Sequence, residues 1–198
     1  MVEIRNKTFF EMPVDDIEDF LHNSPEYDDE WIFWAAPILN RYYSISLSDL
    51  TNLNALQIKA LWDALLWFPE DEFIVDILLT RELNSTQMKI ITLAYKDGLS
   101  RDQIDLLARK EIPYMKLNYL IKALLDGFDM IKILDINAFK YDQIYELYAG
   151  FKDKIDYSMY MDPNMDANAM KAVRLSLKQK LPVTITEDSV IVNEKEKI

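Results

Sequence analysis

Residues 83–100 read Leu-Asn-Ser-Thr-Gln-Met-Lys-Ile-Ile-Thr-Leu-Ala-Tyr-Lys-Asp-Gly-Leu-Ser, and the stretch carries the punctuation of one helix from end to end. Asn84 is an N-cap residue, and Gln87 three positions on is its capping-box partner. Leu83 and Met88 have the spacing of a hydrophobic staple across that cap. Met88, Ile91 and Tyr95 follow three or four apart and share one face. In Asp97-Gly98-Leu99 the glycine suits a left-handed residue just past the helix, with Leu99 folding back on it. Ser100-Arg101-Asp102-Gln103 then opens a second, shorter helix with its own capping box.

The same offsets return along the chain. Origins at Leu53, Leu83, Ile112, Phe139 and Met165 are spaced by 30, 29, 27 and 26 residues. Staple pairs recur as Leu53–Ile58, Ile112–Leu117, Phe139–Ile144 and Met165–Met170. One column is always small: Ala64, Ala94, Ala123, Gly150 and Ser176. Asn54 and Asp166 are further N-caps, and Pro113 stands where a missing N–H costs nothing. Asp129 and Asp156 are placed to cap second helices. In those helices Ile74, Ile104 and Ile133 share one offset, and Ile77, Leu107 and Ile136 another. Each copy therefore predicts a helix of about 13 residues and a partner of about eight. A lone helix pair cannot cover its apolar stripe, so neighbours bury it against one another. The expected fold is all-α: a helical-hairpin repeat solenoid or bundle over 53–182. The unit length separates it from tetratricopeptide repeats, which need 34 residues.

The flanks depart from the repeat. Residues 1–52 read as an acidic, aromatic-rich N-terminal cap. Val2–Phe10 is expected as a short strand, and Val14–Leu21 and Glu30–Tyr43 as helices, the second interrupted by Pro37. Trp31, Trp34, Trp62 and Trp67, all the tryptophans, cluster across this cap and the first repeat. Residues 183–198 read as a small β-hairpin, Val183–Thr186 against Val190–Val192, followed by a tail.

The composition narrows the chemistry. Three glycines and seven prolines among 198 residues are too few for the turns of a sandwich or barrel. With no cysteine, thiolate metal sites and cysteine nucleophiles are absent, and a lone histidine, His22, supplies no His pair. Phosphate-cradling and nucleophile-elbow motifs are also missing. Asp162, Asn164 and Asp166 imitate the start of a calcium loop, but Ala167 and Val173 stand where glycine and glutamate belong. The reading is of a non-enzymatic, cytoplasmic chain with no catalytic residue, metal, cofactor or membrane segment.

Charge points to the partner. The net charge is −12, and residues 1–40 hold ten acidic residues against Arg5 and Lys7. Such a field repels phosphates and favours a basic protein surface. The candidate binding residues are Asp15, Asp16, Glu18, Asp19, Glu26, Asp28, Asp29 and Glu30, with Trp31 and Trp34 as aromatic anchors. An alternative is RNA or DNA binding by the lysines and arginines of the second half. These are Arg109, Lys110, Lys116, Lys122, Lys132, Lys140, Lys152, Lys154, Lys171, Arg174, Lys178 and Lys180. Residues 100–182 nevertheless balance 13 basic against 12 acidic residues, which leaves no net positive groove.

Gln87-Met88, Gly98-Leu99-Ser100, Gln103-Ile104 and Tyr160-Met161-Asp162-Pro163, leading to Met170, Val173 and Arg174-Leu175, carry a resemblance over about half the chain. The stretch from about 83 to 181 resembles short tandem α-helical-repeat proteins of Gram-positive bacteria and their phages or mobile elements. It departs from that pattern at Lys154 and Lys180, where glycine is lost. The resemblance implies an interaction module without catalytic residues. A mobile-element origin implies an anti-CRISPR-like inhibitor whose acidic surface occupies the nucleic-acid channel of a host nuclease or effector.

Overall fold

The computed structural model describes residues 9–10, 12–180, 183–186 and 189–192. The fold is all-α, with eleven α-helices among the described residues. The chain divides into two compact units, Met1–Lys110 and Glu111–Ile198. The first holds α1 (Val14–His22), α2 (Asp29–Arg41), α3 (Leu47–Leu50), α4 (Ala55–Trp67), α5 (Glu72–Thr80), α6 (Ser85–Lys96) and α7 (Arg101–Leu107). There α1 packs on α2, α2 on α4, and α4 on α6. The second holds α8 (Tyr114–Leu125), α9 (Met130–Ile133), α10 (Tyr141–Lys152), a 3-10 turn at Tyr157–Tyr160, and α11 (Ala167–Gln179). There α8 packs on α10 and α10 on α11. Two four-residue strands, Val183–Thr186 and Ser189–Val192, pair antiparallel with Val183 opposite Val192.

Each long helix starts two residues after a repeat origin: α4 at Ala55, α6 at Ser85, α8 at Tyr114, α10 at Tyr141 and α11 at Ala167. Counted from those starts, the fourth residues are Ile58, Met88, Leu117, Ile144 and Met170, and the seventh are Leu61, Ile91, Leu120, Leu147 and Val173. All ten are fully buried. Each such side chain contributes roughly 1.5–3 kcal/mol on leaving water. The tenth residues are Ala64, Ala94, Ala123, Gly150 and Ser176, and these too are buried. Their carbonyls also close the helix ends. Ala94, Ala123 and Gly150 accept the backbone N–H of Leu99, Phe128 and Ile155 at 3.1, 2.7 and 2.9 Å. The residue between is left-handed: Gly98 (φ 104°), Gly127 (φ 85°) and Lys154 (φ 57°), with Lys180 (φ 56°) after α11. The two lysines therefore occupy the glycine position in a conformation that costs a side chain roughly 1–2 kcal/mol.

At three of the long helices a single glutamine ties the helix start to a segment further along the chain. Gln57, Gln87 and Gln143 accept the N-cap N–H of Asn54, Asn84 and Lys140 at 2.9, 3.0 and 2.6 Å. Each amide nitrogen then donates onward: Gln57 to the Leu83 carbonyl (2.7 Å), Gln87 to Arg109 and Lys110 (3.4 and 3.3 Å), and Gln143 to Pro163 and Met165 (3.0 and 2.7 Å). Glutamate closes the same box but has no donor for the second contact. At α8 the position belongs to Lys116, which is buried; loss of solvation lowers its pKa against the opposing pull of Asp135.

Some expectations need correction. Pro37 does not interrupt the second cap helix; α2 runs through it to Arg41. The helical bond it lacks would lead to Phe33, an exposed residue, while Ala35, Ala36, Ile38 and Leu39 hold that segment in the core. Nor are the second helices uniformly about eight residues long. They shorten from nine in α5 to seven in α7 and four in α9, and end as the 3-10 turn. Ile133 is exposed, unlike Ile74 and Ile104, because the side chain of Asp135 accepts the Asn137 N–H (3.0 Å) and turns the chain early. Ser100, Asp129 and Asp156 each cap the element they precede. The short α3, with its Ser46–Asp49 box, was not anticipated. Of the strand expected over Val2–Phe10, residues 2–8 lie outside the described residues, and Phe9 and Phe10 stand in a turn. The tail after Val192 also lies outside them.

Candidate functional site

The acidic candidates gather on α1, on α2 and in the turn between them, and helix electrostatics explains their placement. Asp15 and Asp16 occupy the first turn of α1, while Asp28 caps α2 and Asp29 and Glu30 open it. Carboxylates there are favoured by the positive end of the helix dipole. Asp28 also accepts the Trp31 N–H at 2.7 Å. Ile17 and Leu21 are buried under α1, which turns Asp15, Asp16 and Asp19 outward. Glu26, Asp28, Asp29 and Glu30 are likewise exposed and Glu18 is half-buried. His22 sits against this group, with Nδ1 at 2.7 Å from the Glu18 carbonyl and Nε2 at 3.4 Å from Asp29. The arrangement is an open surface of carboxylates.

The two tryptophan candidates separate. Trp31 is only 6% exposed, stacks on Tyr27 and donates its indole N–H to the Leu53 carbonyl (2.9 Å). It therefore ties α2 to the segment that leads into α4 and has no face left for a partner. Tyr42 makes a second such tie, its hydroxyl donating to the Leu65 carbonyl at 3.3 Å. Trp34 is half-buried under the ammonium of Lys59, 4.5 Å from the ring centre. The residues that do present apolar surface are others. Phe33 and Phe20 are exposed beside the carboxylates, and Trp67 is exposed at the end of α4. Residue type alone does not separate Trp67 from Trp31, and the flanks point the wrong way: Asp28-Asp29-Glu30 precede the buried ring and Ala64-Leu65-Leu66 the exposed one.

Five of the twelve cations of the second half sit in ion pairs. Lys110 pairs with Glu82, Lys132 with Asp129 (2.8 Å) and Lys152 with Asp126 (2.8 Å). Arg174 binds Glu146 and Asp153 (2.8 and 2.9 Å), and Lys178 binds Asp153 (2.6 Å). The hydrogen bond from Lys178 is the foremost cause holding the Asp153 carboxyl below its ordinary range. Burial and the neighbouring Asp126 push the Tyr148 hydroxyl up to about 12.

Two hollows lie in the first unit near Asp71. One, about 580 Å³ and open, is lined by Phe68, Pro69, Asp71, Phe73 and Arg101, and the other, about 620 Å³, by Tyr42, Tyr43, Val75 and Leu79 among others. Asp71 caps α5, accepts the Tyr95 hydroxyl (2.7 Å) and pairs with Arg101 (3.1 Å). These groups satisfy one another and stitch α5, α6 and α7 together. Among the described residues no cluster of His, Asp and Glu is arranged to hold a metal ion. No helix there is long and apolar enough to cross a membrane. Compared with known proteins, the chain matches no family model, no curated protein and no solved structure.

Proposed function

We propose that the chain is a non-enzymatic protein-interaction module. In this reading the five helical hairpins form a repeat scaffold, and the carboxylates of α1 and α2 engage a partner with a basic surface. The supporting observation is the concentration of charge: ten acidic residues in the first forty, with seven of the eight candidate carboxylates exposed. A dense exposed carboxylate face imitates the spacing-tolerant field of a nucleic-acid backbone, so a nuclease or effector with a cationic channel is the partner class it fits. Together with the resemblance to phage and mobile-element helical repeats, this makes an anti-CRISPR-like inhibitor the specific form of the proposal.

Nucleic-acid binding by the second half is the weaker reading. Of its twelve cations, five sit in ion pairs and Lys116 is buried.

The test is capture of partners on the immobilised chain at low and at high salt. Screening weakens exposed charge pairs, so the partner is expected to be held at low salt, shed at high salt and displaced by heparin. A chain carrying Asp15→Asn, Asp16→Asn, Asp19→Asn and Glu26→Gln is expected to lose it. Retention indifferent to salt, or undiminished in that variant, overturns the acidic-face mechanism.

A further inference from the structure

The first unit carries twenty acidic and ten basic residues, yet one of its grooves is rimmed by the minority charge. Where α4 lies against α6, a hollow of about 290 Å³ is lined by Ala60, Asp63, Leu66, Trp67, Lys89, Thr92 and Leu93. Its apolar walls face solvent: Trp67 is 57% exposed, Leu66 56% and Leu93 51%. Lysines stand around them. Lys89 and Lys96 flank Leu93 on α6, and Lys96 rests on the Trp67 ring with Nζ 3.1 Å from its centre. On α4, Lys59 pairs with Asp63 (3.2 Å), which uses up the one carboxylate lining the hollow.

Exposed Leu, Leu and Trp at the meeting of two helices are the anchors of a helix-in-groove surface. Burying them recovers transfer free energy that the isolated chain forgoes. Charge complementarity then selects the occupant. We infer that the α4–α6 groove receives an amphipathic helix of a partner protein, its apolar face on Leu66, Trp67 and Leu93 and its flanking glutamates or aspartates on Lys89 and Lys96. The lining runs from Ala60 to Trp67 on α4 and from Lys89 to Leu93 on α6, so about two turns of a ligand helix fill it. A nucleic acid fits less well: the one aromatic wall, Trp67, is already covered by Lys96, the other two anchors are leucines, and the acidic remainder of the unit repels phosphate. This surface is separate from the carboxylate face of α1 and α2, and stands whether or not that face binds.

The test is fluorescence anisotropy of a labelled helical peptide, leucine along one face and glutamate on the other, titrated with the full chain. A lysine-for-glutamate peptide and a single-stranded oligonucleotide serve as alternatives. The glutamate peptide is expected to bind in spite of the −12 charge of the chain. Lys89→Glu with Lys96→Glu, both exposed and compatible with the fold, is expected to weaken it by about tenfold or more, and Trp67→Ala similarly. Asp15→Asn with Asp19→Asn is expected to leave it unchanged or tighter. Several results overturn the inference: no binding, affinity unchanged in the lysine variant, preference for the lysine peptide, or displacement by the oligonucleotide. So does self-association of the chain that Trp67→Ala abolishes, which gives the groove to a second copy.

Discussion

Gly150 on α10 makes room for the side chain of Tyr160. A Cβ added at Gly150 collides with the Tyr160 hydroxyl, and that hydroxyl is fully buried with no hydrogen-bond partner among the described residues. Burial pushes its pKa up. In an ordinary helix interior Gly→Ala gains roughly 1 kcal/mol; here the ring cannot withdraw, and overpacking reverses the sign. Gly150→Ala is expected to lower stability by about 1–3 kcal/mol. Tyr160→Phe, which removes an unpaired buried hydroxyl, is expected to be neutral or to gain up to about 1 kcal/mol. The double variant is expected to recover most of the loss. Urea unfolding followed by circular dichroism checks all three, and a double variant as unstable as Gly150→Ala refutes the contact. The small column marked Gly150 as a close approach, but its partner lies in a 3-10 turn that no periodicity announces.

At the scale of elements, the starts of the long helices were legible because their signals are local. Caps, staples and left-handed ends depend on residues within one turn, and every long helix begins at the same distance from its origin. What escaped depends on tertiary setting. Pro37 is carried through α2 by the burial of its neighbours, and the second helices shorten where side-chain turns such as that of Asp135 compete with the helix. The acidic candidates were legible as charge and lie at helix starts, whereas the burial of Trp31 was decided by Leu53, twenty-two residues away. The onward bond of the capping-box glutamines was also illegible, since a capping box accepts Glu as readily as Gln. Gln87→Glu keeps the box while setting a buried carboxylate against the Arg109 and Lys110 carbonyls, and is expected to cost about 2–4 kcal/mol. Gln57→Glu, at a half-buried site, is expected to cost less. Melting by differential scanning calorimetry ranks the two; equal and negligible losses contradict the onward bond.

For the whole molecule, acidity works in two opposite directions. With a net charge of −12 and a pI near 4.5, self-repulsion shrinks as the pH falls towards 4.5. Below that, the paired carboxylates dominate. Lys178 and Arg174 lower the Asp153 pKa, and the bonds from Lys152 and Tyr148 lower that of Asp126. A carboxylate depressed on folding contributes fully above its unfolded value of about 3.9, and the contribution is lost as pH falls through the folded value. Melting temperature is therefore expected to change little from about pH 7 to 4.5 and to drop below about pH 4, with a shallower drop in Asp153→Asn. A parallel acid limb in that variant contradicts the assignment.

The claim on which the scaffold rests is that one helical hairpin recurs five times with its tenth position pressed against a neighbour. Thermal unfolding of five single variants tests it most directly: Ala64→Leu, Ala94→Leu, Ala123→Leu, Gly150→Leu and Ser176→Leu, with exposed Thr86→Leu and Lys171→Leu as controls. A common packing column predicts that each of the five melts about 3 °C or more below the parent, from roughly 1–3 kcal/mol of overpacking, while the controls stay within about 1 °C. Parental melting in two or more of the five contradicts it.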